Sequence, residues 1–417
     1  EVNGQKVLAP QVYLSRETIE GINVSGAVIE GKVGTILQVG QLNNVNATID
    51  GGLVYVDAVA DINNIGGRIK GKDIVLKTQE GSINNITQIY NFNNKANDST
   101  TVGPIAGIES SGTLMLNAAK DINNLGADLK SKGDALIQAG NDINIKSLEL
   151  TTGSTTQMKK GEVINENTKS IGNGIKQTSA ITHLGSNVDL GGNAAFESGG
   201  NTLISGSDVN VKGQMYAKTG GDFILESVQD SKEVSTTSSR SGFGVGGGLW
   251  GTQTQETKDF EGKNKASNLN VGSLIVDSAN KVVIEGSNIN ITEKGSLSAI
   301  SGKNGVDILD GKDENRNDKT TTTTTFLKVT KGPSETETYA KTDARTQSKA
   351  EAGGKSASAS ASAGVSAEAG ASASGSGSLR LAEHTVTKEV KASDRSVGSN
   401  INSAGSLLIS SDEGAVT

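Results

Sequence analysis

Asp61-Ile62-Asn63-Asn64-Ile65 recurs along the chain, and its recurrence decides the fold. Close copies are Gln41-Leu42-Asn43-Asn44-Val45, Ser82-Ile83-Asn84-Asn85-Ile86 and Asp121-Ile122-Asn123-Asn124-Leu125. Looser copies are Gly21-Ile22-Asn23-Val24, Asp142-Ile143-Asn144-Ile145, Asp208-Val209-Asn210-Val211 and Asn288-Ile289-Asn290-Ile291. Further candidates centre on Val188, Leu269 and Ile401. The anchors Ile22, Leu42, Ile62 and Ile83 are separated by 20, 20 and 21 residues; Ile122 and Ile143 by 21; Leu269 and Ile289 by 20. A fixed period of this length marks a repeat architecture.

Each unit has internal order. Seven residues beyond an anchor comes another apolar position (Ile29, Ile49, Ile69, Leu129), and then an alternating set such as Val54-Tyr55-Val56 or Ile74-Val75-Leu76. Three short period-2 segments separated by Gly, Asn, Asp or Ser predict three strands with corners between them. The expected fold is all-β: a right-handed parallel β-helix, a solenoid of triangular coils of about 20 residues stacked about 4.8 Å apart. Ile22, Leu42, Ile62, Ile83, Ile122, Ile143, Val209 and Ile289 are its expected core anchors. Asn44, Asn64, Asn85 and Asn124 are expected to stack as a hydrogen-bonded ladder along the axis. The visible anchors suggest about a dozen coils and a rod roughly 55–60 Å long.

Composition supports a long, thin core. Of 417 residues 54 are glycine, while aromatics are 3%: six Phe, five Tyr and one Trp, too few to anchor several conventional cores. Cysteine is absent, which excludes disulfides and thiolate-bound metal. No run of about 18 apolar residues is present. With 39 basic and 46 acidic residues the net charge is −7, so no overall basic character favours nucleic acid. The start at Glu1-Val2-Asn3-Gly4, without Met or a signal peptide, leads us to expect a segment of something longer.

Breaks in the period locate what is not repeat. The expected organisation is coils over 1–150 with a small insert near 87–112, an insert at 151–182 and coils over 183–227. A Gly/Ser/Thr-rich insert follows at 228–267, then coils over 268–309, a long insert at 310–397 and a coil over 398–417. The last insert holds Thr320–Thr325 and the Ser/Ala alternation running from Ser356 to Ser378. Both compositions suit extended chain, so a long projecting β-hairpin is expected; the alternative is a low-complexity loop.

Chemical motifs are sparse. Gly26–Lys32 has phosphate-loop spacing, but Val33 replaces the Ser or Thr that would hold Mg²⁺, and the stretch lies in phase with the repeat. Gly242–Gly247 satisfies G-x-G-x-x-G without a strand–helix context. Asp313, Asn315 and Asn317 imitate the start of a Ca²⁺ loop, yet Asp318 and Thr324 stand where Gly and Glu are required. His183 and His384 are the only histidines. A catalytic β-helix would need a charged cleft along one sheet, and the repeats announce Asn, Thr and Ser instead. Neither cofactor nor metal is expected. Phe243, Val245, Leu249 and Trp250 concentrate apolar residues in a glycine-rich insert and are the candidate contact with a membrane or partner.

Gly133-Asp134-Ala135-Leu136-Ile137-Gln138-Ala139-Gly140-Asn141-Asp142-Ile143-Asn144-Ile145 resembles the haemagglutinin repeats of two-partner-secretion exoproteins. Leu8–Leu14, the Asp-Ile-Asn-Asn units and the excursion Thr236–Trp250 are similar to the second repeat block of contact-dependent growth-inhibition toxin carriers. The resemblance implies an outer-membrane transporter as partner, a filament on the bacterial surface, and toxin delivery or adhesion. We find no N-terminal secretion domain, Val-Glu-Asn-Asn motif or toxin domain. The expected function is therefore a non-enzymatic filament segment whose inserts contact a target envelope and help deliver a toxin. An adhesin shaft binding a host receptor or carbohydrate is the alternative.

Overall fold

The computed structural model describes residues 26–94, 96–165, 168–331, 357–367 and 377–417. Ile22 and the Leu8–Leu14 stretch lie outside them. Parallel strands stack in two sheets, one of nine strands and one of fifteen. The fifteen-stranded sheet turns a corner within the coil, so each coil contributes three strand segments. One coil runs Ile62–Ile65, then Arg68–Thr78, which bends near Gly71. The next begins at Ile83–Ile86, in register with Ile62–Ile65. Alternation sends Ile62, Ile69, Ile74 and Leu76 inward, each fully buried. Burial of this kind contributes about 1.5–3 kcal/mol per side chain, and it recurs in every coil.

The larger sheet stacks ten coil levels among the described residues, from Gly31 to Ser403, about 43 Å long, fewer than the expected dozen. Two identical-looking motifs explain the difference. Leu42, Ile62, Ile83, Ile122 and Ile143 stack in the nine-stranded sheet. Val188, Val209, Leu269, Ile289 and Ile401 stack in the other, continuing the row of Leu129. Ile143 and Val188 thus belong to one coil, interrupted by an excursion, rather than to two.

All four excursions leave from the same corner. They start after Ile86, Lys146, Glu226 and Leu309, and the coil resumes at Gly107, Asn187, Asn268 and Asn400. Between them lie uninterrupted coils, so an excursion leaves from every second coil. Uninterrupted coils turn that corner with a left-handed residue: Asn46 (φ 51°), Gly66 (60°), Gly126 (57°), Gly206 (56°) and Gly286 (54°). Coils with excursions place Thr87, Ser147, Ser227 or Asp310 there.

The excursions are antiparallel strand pairs that join edge to edge. Ile89–Asn93 pairs with Asn97–Val102, Leu148–Met158 with Asn173–Leu184, Val228–Phe243 with Trp250–Lys265, and Gly311–Lys331 with Gly377–Val397. Neighbouring pairs bond in turn, as Thr152↔Ser99, Lys176↔Thr236 and Thr254↔Thr322. With Ala357–Ala367 on the outer edge, they form one nine-stranded sheet, a fin beside the solenoid. The match is geometric. Two coils advance about 9.6 Å along the axis, and two strands of an antiparallel pair occupy the same width. Described parts of the Ser/Ala alternation form that outer strand; the remainder lies outside the described residues.

Amides tie the coils together. Asn44 donates to Asn64 (2.6 Å), Asn64 to Asn85 (2.7 Å) and Asn85 to Asn124 (2.6 Å), all buried. A second row runs outside, from Asn144 through Asn123, Asn84 and Asn63 to Asn43. The inner row stops where Ile145 pairs with Asn124, and serines take over the corner: Ser186, Ser207 and Ser267 each give a backbone N–H to the hydroxyl of the next serine.

Replacing Asn64 with Ala leaves two buried amides without their axial partners, and we expect a loss of about 3 kcal/mol. Hydrogen exchange of the amides in the coils from Leu42 to Leu125 would localise it; protection unchanged there would contradict the ladder's role. Gly206→Ala would place a methyl 2.5 Å from the Val228 side chain at φ 56°, and it should lower the melting temperature. Gly40→Ala, with nothing within 4 Å, should not.

Candidate functional site

The tip of the third strand pair carries the exposed apolar residues. Phe243 and Trp250 face each other across the pair, rings edge-to-face with centroids 5.1 Å apart. Their exposures are 77% and 43%, and Leu249 is 58% exposed. Val245 lies in the turn, half-buried. The glycines of G-x-G-x-x-G make this turn: Gly244, Gly246 and Gly247 have φ of 79°, 70° and 85°, so the motif is a strand connection rather than a phosphate cradle.

Register adds residues that the sequence did not announce. Trp250 pairs with Phe326, and Leu249 donates its N–H to the Leu327 carbonyl. Phe326 and Leu327 are also exposed. The patch thus spans two excursions. Its only signal was an aromatic residue closing the threonine run, whose partner could not be known without the pairing. The third pair also protrudes past the second here: its pairing with the second ends at Asn173↔Ser239, leaving Arg240–Phe243 beyond it. Shorter excursions carry exposed Phe92, Val163 and Ile175.

Below the tip the fin is packed. Thr236, Ser238, Gln255 and Thr257 are buried, and the segment before Asn173 lies over them, with Asn165 donating to Asp259 (3.0 Å) and the Ile171 N–H reaching Ser238. Asp313, Asn315 and Asn317 sit on a straight strand; Asp313 accepts the Asn264 N–H and Asn317 bonds Asp259. An extended strand cannot wrap a cation, so the Ca²⁺-loop reading fails on backbone shape. His183 bonds Asp230 (2.9 Å) and His384 bonds Thr324 (3.0 Å), in different strand pairs. Among the described residues no group of three or more His, Asp or Glu is placed to hold a metal. No helix there is long and apolar enough to cross a membrane.

The solenoid does bear a charged groove, contrary to the reading of its repeats as purely amide and hydroxyl. It encloses ≈ 1250 Å³ along the corner between the two halves of the large sheet. Apart from Asp189, its charges come from residues outside the Asn-bearing motifs, which is why the repeat concealed them. Asp73 beside it is held below the usual carboxylate range, first by the Thr113 N–H (2.9 Å) and then by the Thr113 hydroxyl (2.8 Å).

The Hemagglutinin repeat family model matches residues 87–243, from the first excursion corner to the apolar tip. The 16S rRNA endonuclease CdiA of Enterobacter cloacae subsp. cloacae is 34% identical over 152 residues, 31% of this chain and 5% of the relative. Toxin CdiA of Escherichia coli is 33% identical over 150 residues, and the tRNA nuclease CdiA of Escherichia coli O6:K15:H31 is 34% identical over 155; each match covers 30% of this chain and 5% of the relative. The matched region is thus a small fraction of those proteins' length. No solved structure matches the chain.

Because the tip residues touch no core, Phe243→Ser should shift the melting temperature by less than about 2 °C. Phe223→Ala, inside the solenoid and fully buried, should cost about 3–5 kcal/mol. Thermal denaturation followed by circular dichroism compares the two, and a large loss from Phe243→Ser would mean that the tip packs structurally.

Proposed function

We propose that this chain, which carries the haemagglutinin repeat and is CdiA-like across it, is a non-enzymatic shaft segment of a secreted bacterial surface exoprotein whose fin contacts a neighbouring cell's envelope during toxin delivery. The observation that carries the reading is the tip: aromatic and aliphatic residues held exposed at the end of a rigid sheet, away from the shaft. The CdiA relatives are named as toxins and nucleases, and we read the repeat region they share with this chain as structural. An outer-membrane two-partner-secretion transporter is the expected export partner, and the outer surface the expected location. Right-handed triangular coils and hairpin inserts remain the architecture we propose for the shaft and fin; nine-strand stacking and antiparallel pairing support it.

Energetics favour such a contact. Burying Phe243, Leu249 and Trp250 in a lipid interface would contribute about 5 kcal/mol together, and indole rings favour that interface. Along most of the shaft the apolar rows face inward; exposed Val33 and Ile36 lie on its first described strand.

Trp250 is the only tryptophan in the chain, so its fluorescence reports the tip directly. Adding vesicles of bacterial outer-membrane lipid should shift its emission to the blue, and Phe243→Ser/Leu249→Ser should abolish the shift. Unchanged emission of the parent chain would remove envelope contact and leave the adhesin shaft, binding a receptor or carbohydrate, as the surviving reading.

A further inference from the structure

We propose that Lys32, Lys72, Lys132 and Lys212 form a binding row for an extended acidic polysaccharide that carries one carboxylate per disaccharide. These four residues occupy one structural position. Gly31, Gly51, Gly71, Ser110, Ser131, Leu190, Val211 and Val271 stack in register along the solenoid. The residues that follow them, in the same order, are Lys32, Gly52, Lys72, Ser111, Lys132, Gly191, Lys212 and Gly272. A lysine stands on every second coil, and a glycine or serine between.

The intervening glycines are closed to side chains. A Cβ on Gly191 would sit 2.5 Å from the Lys132 carbonyl oxygen, and one on Gly272 would sit 2.6 Å from that of Lys212. Only glycine or the short Ser111 therefore separates one lysine stem from the next. All four lysines are exposed, all four line the ≈ 1250 Å³ groove, and none makes an ion pair among the described residues.

The neighbouring column behaves differently. In the neighbouring outer-face column, Glu30 and Asp50 stack first, and Lys70, Glu109, Lys130 and Asp189 then follow with alternating sign. Stacked opposite charges stabilise adjacent strands, so Lys70 and Lys130 are taken up by the acids of their own column; Glu109 also pairs with Arg68 and Lys130 with Asp128. The corner lysines have no such interleaved acids. With Lys70 and Lys130 they outnumber the acids Glu30, Asp50, Glu109 and Asp189 that line the same groove, which makes the groove positive on a chain of net charge −7.

Spacing selects the ligand. Two coils separate successive lysines by about 10 Å, close to the length of a disaccharide in an extended glycan. Phosphates in a nucleic acid come more densely, and single strands bind by stacking bases on aromatic side chains. No aromatic residue lines the groove; the exposed Ser111 and the half-buried Asn210 do, which suits sugar hydroxyls.

Hyaluronan oligosaccharides supply the required charge spacing. Titration calorimetry with the full chain at low salt should show binding that weakens as salt shortens the screening length. Lys72→Gln/Lys132→Gln should weaken it about tenfold, and Lys212→Gln alone several-fold. Lys258→Gln/Lys263→Gln on the fin should leave it unchanged, and dextran and oligo-dT should bind much more weakly. The proposal is overturned by absence of hyaluronan binding, by a corner variant that is folded by circular dichroism and binds like the parent, or by oligo-dT competing equally.

Discussion

The interaction on which everything else depends is the parallel backbone hydrogen bond between successive coils. It fixes an axial step of about 4.8 Å, and every other feature is written in multiples of that step. Side chains at one coil position meet the same position one step away, so whatever they do together is repeated along the rod. Apolar rows become a continuous core. Asparagine rows become ladders, because an amide carries both a donor and an acceptor and can satisfy itself in a stack of its own kind. Charges follow the same logic with the opposite sign: like charges one step apart repel, and beyond the Glu30–Asp50 step the column Asp50, Lys70, Glu109, Lys130 and Asp189 alternates.

The fin follows from doubling the step. Antiparallel strands are spaced as parallel coils are, and an excursion comprises two strands. Excursions one coil apart would overlap, and excursions three coils apart would leave gaps. Spaced two coils apart, they meet edge to edge and satisfy each other's backbone groups, which an isolated pair would leave to water. The corner residues encode this choice locally. A left-handed Gly or Asn returns the chain to the coil, while Thr87, Ser147, Ser227 and Asp310 send it outward.

Much of the solenoid was legible because its information is local and repeated. The 20-residue period, the inward Ile62, Ile69, Ile74 and Leu76, and the axial alignment of Asn44, Asn64, Asn85 and Asn124 follow from spacing alone. Three things were not legible. The Ile-Asn motifs of two different sheets look alike, so Ile143 and Val188 passed for successive coils. The pairing of Trp250 with Phe326 joins excursions remote in sequence, and nothing in either segment names its partner. The lysine row escaped notice because its period is two coils, while the eye was set to one. Each failure has the same origin: register between distant segments is decided by the stack, not by the residues flanking a motif.

The stepwise lengthening of the strand pairs, from 5 and 6 residues to 11 and 12, then 16, then 21, sets how the chain can be edited. Removing a single coil between excursions would displace every later pair by half a pair width and break the fin's seams. Removing two coils, with the excursion they carry, would close the gap with strands still in phase, at the cost only of a larger jump in length between neighbours. The indivisible module is thus the coil pair with its arm. Duplication or recombination that respects this module would preserve both sheets at once, and a change confined to one coil would not.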